Sequence, residues 1–520
     1  MPLAGNTTAW AEVTQELATG GADTIEVLCR YRQSAASKWV GESGAFADLQ
    51  LVELGADPDA PPAATLPPDA RSATEGSHTA TVNPAAIAAG NDVYVTPTSA
   101  GSKDGSSWDN AAPGNGVGAL QAAWNATGEA KTCHVGSGLY TQQSLQITAG
   151  GHDIHTPKRL LGEDTGGGLP VFRSTWTKDD PSHGASFVEA AAGASYWWLQ
   201  DLKVEHYQLV VRLLGQNVGL HILNVDMTDT RIAMTLEGGA TVNDLLGASH
   251  DILIKDCDVT GFTKNAIRIQ GGVYQVRVVN CHADAGGKPY ATEKFHMCFH
   301  ASGGSGTICD HDIAYIGCSA RNSYDDAGDK YWNGDGFAAE RNVYNLSYVD
   351  CNAFDCTDGG WDDKSLNPTL VGCVSLRNKR NFRLWSQGGA TLIRCLGAYG
   401  HLSGSGTSCG LYACRGALVK AIDCTFYNNP IQVDLSTEKT AEGRRTRIEL
   451  DDCIVGSDTD PVGSLYRVEE NGDLARNGVV EYLKGQAGAD PKLSQVTRDW
   501  DGTGEAFVSQ AFGPDKGFSR

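Results

Sequence analysis

The chain has 520 residues, a formal charge of −21 at neutral pH, 63 glycines and only 4 methionines. Such a charge argues against nucleic acid as a partner, because phosphates attract basic surfaces, and mildly against a polyanionic substrate unless cations intervene. No run of about 18 apolar residues is present, so no membrane insertion is expected, and abundant glycine with scarce methionine suits a turn-rich β architecture.

The opening residues, 1–8, carry neither a basic nor an apolar stretch, so no secretory leader is expected. The fifteen cysteines are an odd number and mostly stand singly at repeat spacing. They read as reduced, buried small hydrophobes and not as a disulfide framework. The expectation is a chain that folds in a cytoplasm and, if it acts outside a cell, leaves by lysis or an unconventional route. Residues 1–54 form a small separate unit, with a helical pattern at Trp10, Val13 and Leu17 and strand-like runs over 24–31 and 45–52. So short a piece buries little core alone, which predicts an attachment or oligomerisation domain. Residues 55–90 read as a linker, with Pro58, Pro61, Pro62, Pro67 and Pro68 making a semi-rigid spacer.

From residue 91 the order is a strand (91–97), a Gly/Asp loop ending at Trp108, an amphipathic helix over about 116–127, and a second strand from Cys133. Val117, Leu120 and Trp124 share one face of that helix. This order resembles the opening of pectin-lyase-like right-handed β-helices, in which the helix caps the first coil. Short apolar strands ending in Cys257, Cys281, Cys318, Cys351, Cys373, Cys395, Cys424 and Cys453 follow, at separations of 24, 37, 33, 22, 22, 29 and 29 residues. A basal coil of 22 residues with insertions is the pattern of a parallel β-helix, in which the cysteines become an internal ladder. The expected fold is all-β: a right-handed, single-stranded parallel β-helix over 91–455, with 456–520 as a C-terminal cap or tail.

Stacked coils turn sequence offsets into neighbours. Asp358 and Asp362 lie 7 and 11 residues after Cys351, and Arg380 and Arg383 lie 7 and 10 after Cys373. Asp335, corrected for a longer coil, falls near the same offset. These residues are expected to converge on one groove, where three carboxylates are able to hold a hard cation and the arginines an acidic sugar. The alternative is that Asp and Gly here only make turns between rungs.

Residues 333–338, Asn-Gly-Asp-Gly-Phe-Ala, and 358–362, Asp-Gly-Gly-Trp-Asp, resemble the calcium-site motifs of the family-nine polysaccharide lyases, which are β-helix pectate lyases. The resemblance implies Asp335, Asp358 and Asp362 as calcium ligands and Arg383, in the run Asn381 to Leu384, as the catalytic base. Arg380, Lys364, Trp332, Trp361 and Trp385 are the implied substrate-binding residues. Two departures stand out: Gly359 replaces the second aspartate of the doublet, and the base position holds an arginine, which gives up its proton only above about pH 12. In this reading calcium bridges a uronate carboxylate, the base takes the C5 proton and the C4 oxygen leaves.

Weaker candidates are His296, Cys298 and His300 as a zinc site, Asp325, Asp326 and Asp329 as further cation ligands, and Glu340 as an acid for hydrolysis. A small head, a proline spacer and a β-helix also resemble a bacteriophage tailspike. That implies a homotrimer attached to a virion or tail through residues 1–54, located at the virion surface and acting on a host's acidic polysaccharide. The alternatives are a non-catalytic receptor-binding spike and a free secreted, extracellular bacterial lyase.

Overall fold

The computed structural model describes residues 92–484, apart from 181–182, 241–247, 288–292, 306–307, 327–329, 387, 437–444, 460–461 and 471. The expected attachment domain (1–54), the linker (55–90), the tail beyond 484 and Asp329 lie outside the described residues.

The short strands pair in parallel and form one sheet of 26 strands and another of 12. One coil shows how. Val343–Val349, Asn352–Phe354 and Gly359–Asp363 each pair with a counterpart one coil on, at Thr369–Val371, Val374–Leu376 and Arg380–Leu384. Three strands per turn, repeated along an axis with the right-handed sense of parallel crossovers, make a right-handed parallel β-helix. Two of its three faces belong to the larger sheet, because strands such as Trp197–Glu205 and His221–Thr228 run continuously around the corner between them.

The corners explain the cysteine repeat. The residue before each ladder position adopts a left-handed backbone: Asp201, Asn224, Asp256, Asn280, Gly317, Asp350, Gly372, Arg394, Asp423 and Asp452 all have φ between 49° and 62°. Asp, Asn and Gly enter this region at least cost, so the corner dictates that residue type. The chain then turns the next side chain inward, onto Leu202, Val225 and the eight cysteines, all fully buried or nearly so. A thiol suits the place because it is small and also donates weakly to the main chain; Cys351 Sγ, for example, donates to the carbonyls of Tyr315 and Val349 at 3.3 and 3.4 Å. The eight ladder cysteines are free thiols. A second left-handed corner, at Asp355, Arg377, Tyr399 and Asn428 in successive coils, sends the chain into the 12-stranded face.

The capping helix is shorter than expected, Ala119–Ala126, and buries Leu120, Ala123 and Trp124. Val117 precedes it and is fully exposed, because the chain turns into the helix only at Gly118, in the left-handed region. At the other end the β-helix continues past 455. Ser464–Val468, Asp473–Asn477 and Val480–Leu483 pair with Ile431–Leu435, Arg447–Asp451 and Ile454–Ser457 and complete a further coil.

Arg394 is the one long side chain in the first series of corners, and it is exposed. Its left-handed backbone is strained by about 1 kcal/mol relative to asparagine or glycine. Arg394→Asn is therefore expected to stabilise the protein by about 0.5–1 kcal/mol, read as a raised thermal midpoint; an unchanged or lowered midpoint would show that the corner carries no strain.

Candidate functional site

The 12-stranded sheet carries the site. Its strands Met297–Ala301, Asp335–Ala339, Gly359–Asp363, Arg380–Leu384 and Cys409–Ala413 follow one another in register. Inside, Phe299, Phe337, Trp361 and Phe382 stack as a column with ring centroids 4.9, 4.8 and 5.0 Å apart. Side chains alternate along a strand, so the residue after each ring faces outward. The outward row reads His300, Ala338, Asp362, Arg383 and Tyr412.

That column corrects one expectation. Trp361 is 0% exposed and lies between Phe337 and Phe382 in the core, so it cannot stack on a sugar. Trp332 is half-buried, with its ring tilted against Tyr324. Trp385 is half-buried as well, but three cations already pack on its ring: Arg383 at 4.3 Å, Arg415 at 4.6 Å and Lys364 at 5.5 Å from the centroid.

The charged residues do converge. Asp358 Oδ1 accepts from Arg380 Nη1 at 3.0 Å, and its Oδ2 accepts from Arg383 Nη1 at 3.0 Å and from the Tyr331 hydroxyl. Asp362 Oδ2 lies 3.2 Å from Lys364 Nζ and 3.5 Å from Arg383 Nη1. Lys364 also pairs with Glu340 at 2.8 Å. Asp335 Oδ1 accepts from the Gly359 N–H at 2.7 Å. Behind them, an internal polar ladder holds the strand that carries the arginines. Asn381 Nδ2 donates to Ala398 O and to Asn429 Oδ1, and Asn378 Nδ2 donates to Ala353 O.

These contacts decide whether the aspartates fit calcium. A calcium ion takes six to eight oxygens. Both oxygens of Asp358, one of Asp362 and one of Asp335 are already engaged, which leaves only Asp335 Oδ2 and Asp362 Oδ1 without a hydrogen-bond partner. Burial, then the neighbouring Asp362 and Asp358, push the Asp335 carboxyl well above the usual carboxylate range. Four basic side chains (Lys364, Lys379, Arg380 and Arg383) already face the four carboxyl groups of Asp335, Glu340, Asp358 and Asp362. The position that could add a ligand is closed too: a Cβ on Gly359 would sit 2.8 Å from the Trp361 carbonyl oxygen. The donor set as folded does not fit calcium, and among the described residues no group of three or more His, Cys, Asp or Glu is placed to hold a metal.

The cations differ from one another. Burial works to lower the Arg383 and Arg380 pKa values, but Asp362 and Asp358 beside Arg383, and Asp358 beside Arg380, more than reverse it and drive both upward. Arg383 is thus a fixed cation, suited to binding an anion and unsuited to the base role. Lys379 goes the other way. Its side chain is 0% exposed, and burial brings it down to about 8 although Asp358 Oδ1 is 3.9 Å away. Its Nζ also donates to Trp332 O at 3.4 Å and lies 3.6 Å from the centroid of the Tyr331 ring. Lys379 and Tyr331 stand next to Arg380 and Trp332 in the sequence, but the sequence alone does not single them out.

The weaker candidates separate. Cys298 is in the core, its thiol donating to the carbonyls of Ala283 and Arg321, whereas His300 belongs to the outward row. A zinc ion cannot join them. Asp325 is buried and accepts from the Phe295 N–H, while Glu340 is committed to Lys364.

No family model matches the chain, and no curated protein matches it. Among solved structures the chain is similar to pectate lyase Pel9A, at 15% identity and a TM-score of 0.41, over 82% of this chain and 90% of that one. It is also similar to the catalytic domain of a GH87 alpha-1,3-glucanase, at 10% identity and a TM-score of 0.45, over 68% of this chain and 65% of that one. A third is the A-module of the Azotobacter vinelandii mannuronan C-5 epimerase AlgE4, at 15% identity and a TM-score of 0.42, over 70% of this chain and 92% of that one.

Next to Asp362, Asp363 faces inward, in register with Ala339 and Leu384. It accepts from Tyr348 Oη at 2.9 Å and from Ser365 N and Oγ at 2.8 and 2.6 Å, yet burial raises it from 3.8 to about 6. A carboxyl raised by folding stabilises the fold while protonated, and that contribution is lost as pH climbs from about 4 through about 6. Asp363→Asn keeps the shape without the charge. It is expected to match the wild type near pH 4 and to be more stable above pH 6, by on the order of 2 kcal/mol, in paired thermal melts; equal melts at both pH values would show that Asp363 carries no such penalty.

Proposed function

We propose that the chain is a polysaccharide-acting enzyme that binds an acidic polysaccharide along the outward face of the 12-stranded sheet and cleaves it by β-elimination beside a uronate carboxylate. One observation carries this reading: a chain of net charge −21 gathers four basic side chains, Lys364, Lys379, Arg380 and Arg383, on one face of the sheet beside Asp335, Asp358, Asp362 and Glu340. Arg383 and Lys364 keep 14% and 13% of their side chains open to solvent, which leaves them able to meet an incoming anion. A guanidinium matches a carboxylate in two parallel hydrogen bonds. Neutralising the uronate carboxylate stabilises the negative charge that develops when C5 loses its proton. The cations do here what calcium was expected to do, and no step needs the metal.

In this reading Lys379 supplies the base once the Tyr331 ring, which covers it, moves aside for the substrate. An amine near pH 8 is partly unprotonated under mildly alkaline conditions, and Asp358 holds its position. Turnover is therefore expected to rise with pH through about 8. The experiment is to follow the ultraviolet absorbance of the unsaturated product with polygalacturonate and alginate, with and without chelator. Product is expected at equal rates in both conditions. Lys379→Met is expected to abolish it while binding persists, and Arg383→Ala to lower kcat/KM by about 100-fold. Loss of activity on chelation would restore the calcium reading. Retention of the polymer by the wild type with no product would favour the non-catalytic spike.

A further inference from the structure

The outward row of the 12-stranded sheet does not end at the charge cluster. Followed toward the N-terminal end of the β-helix, past Ala338 and His300, it continues in register through Arg268 and Thr235 to Arg212. We propose that Thr235, Arg268 and His300 form a second carboxylate-binding subsite, which takes a further uronate of the same polymer that lies over Arg383. This rests on the reading of the groove as a polyuronate site.

Three atoms on successive coils carry the assignment. Thr235 Oγ1, Arg268 Nε and His300 Nε2 are withdrawn from water, and none has a hydrogen-bond partner among the described residues. Register makes their side chains neighbours, one coil spacing apart, and Thr235 is only 5% exposed. The arginines around them are committed: Arg212 lies 3.7 Å from Glu189, and Arg231 lies 2.7 Å from Glu293. Glu237, the acid that acts most on Arg268, accepts from Gln270 Nε2 at 2.9 Å. Arg268 is left without an ion pair among the described residues.

The chemistry of these atoms selects the ligand. A guanidinium N–H makes a charge-assisted hydrogen bond to a carboxylate oxygen, and the threonine hydroxyl donates a second bond to the same group. Burial, then Arg268 and Lys364, brings His300 down to about 3. Its imidazole is therefore neutral, and adds a hydrogen bond without adding charge. A buried donor with no partner bears its full desolvation cost, which a ligand oxygen offsets. Ala338, Asp362 and Arg383 follow His300 along the row, so Arg268 and Arg383 stand four coils apart, about 19 Å. The two arginines thus meet different sugars of one chain, and a fragment too short to span them engages only one.

Isothermal titration calorimetry with a galacturonate trimer, too short to span both subsites, and a galacturonate decamer tests the assignment. The wild type is expected to bind the decamer about 100-fold more tightly than the trimer. Arg268→Met is expected to cut that ratio by about 10-fold or more. Thr235→Val, which keeps the shape and removes the hydroxyl, is expected to cut it by about threefold. A ratio unchanged in both variants, through no loss or through equal loss on both lengths, would overturn the subsite. Unsaturated product still released from polygalacturonate would then leave the elimination reading standing. A wild type that binds neither length would instead overturn the reading of the groove as a polyuronate site. Circular dichroism melts of the variants, matched to the wild type, separate a folding defect from these results.

Discussion

The stacking of one coil on the next in strict register is the constraint on which the rest depends. Parallel pairing fixes each strand at the inter-strand spacing of about 4.8 Å, and the aromatic column of Phe299, Phe337, Trp361 and Phe382 repeats that spacing inside the core. Because side chains alternate, a slip of one residue would carry Asp362 and Arg383 into the core and the rings into solvent. The register that packs the rings is therefore the same register that assembles the charges. The left-handed corners enforce it, since each restarts the count of residues at a fixed point of every coil.

The charge cluster built on this frame is costly in isolation. Asp358 is fully buried and meets Arg380, Arg383 and, more distantly, Lys379. Ions withdrawn from water recover their solvation only through good geometry and full pairing, and here the pairing is incomplete. Asp335 Oδ2, Asp362 Oδ1 and the Nε atoms of Arg380 and Arg383 lack partners. The open valences lie on rigid strands backed by the Asn378, Asn381 and Asn429 ladder.

Much of this was legible in the sequence, for identifiable reasons. The cysteine spacing reported the coil because a left-handed corner admits few residue types and the site after it must be small and apolar. The same spacing brought Asp335, Asp358, Asp362, Arg380 and Arg383 to one place, since offsets within a coil survive stacking. What offsets do not reveal is the face on which a residue lies. Trp361 and Asp362 are adjacent, and only the alternation of the strand sends the tryptophan inward. Asp363 is the converse case, a carboxyl pointing into the core against its usual preference. Lys379 and Tyr331 escaped for another reason: the burial that shifts the lysine comes from the segment around Tyr331 and Trp332, whose path over the groove is set by contacts near Gly404, some seventy residues on. The continuation past 455 was missed because the last coil has no ladder cysteine to mark it.

Gly359 and Arg383, which as separate departures from the calcium motif look like losses, are parts of one arrangement. At Gly359, where a Cβ would sit 3.0 Å from Asp335 Oδ1, the backbone N–H holds that oxygen at 2.7 Å. The arginine on the following coil reaches both Asp358 and Asp362 through its Nη1. Lysine could not replace it equivalently, because a point charge on a flexible stem lacks the planar, directional donors of a guanidinium. A guanidinium also differs from calcium in being covalently fixed and directional: it accepts a carboxylate in one plane and stays charged at any pH at which the chain is folded. The groove therefore keeps its charge when divalent cations are scarce.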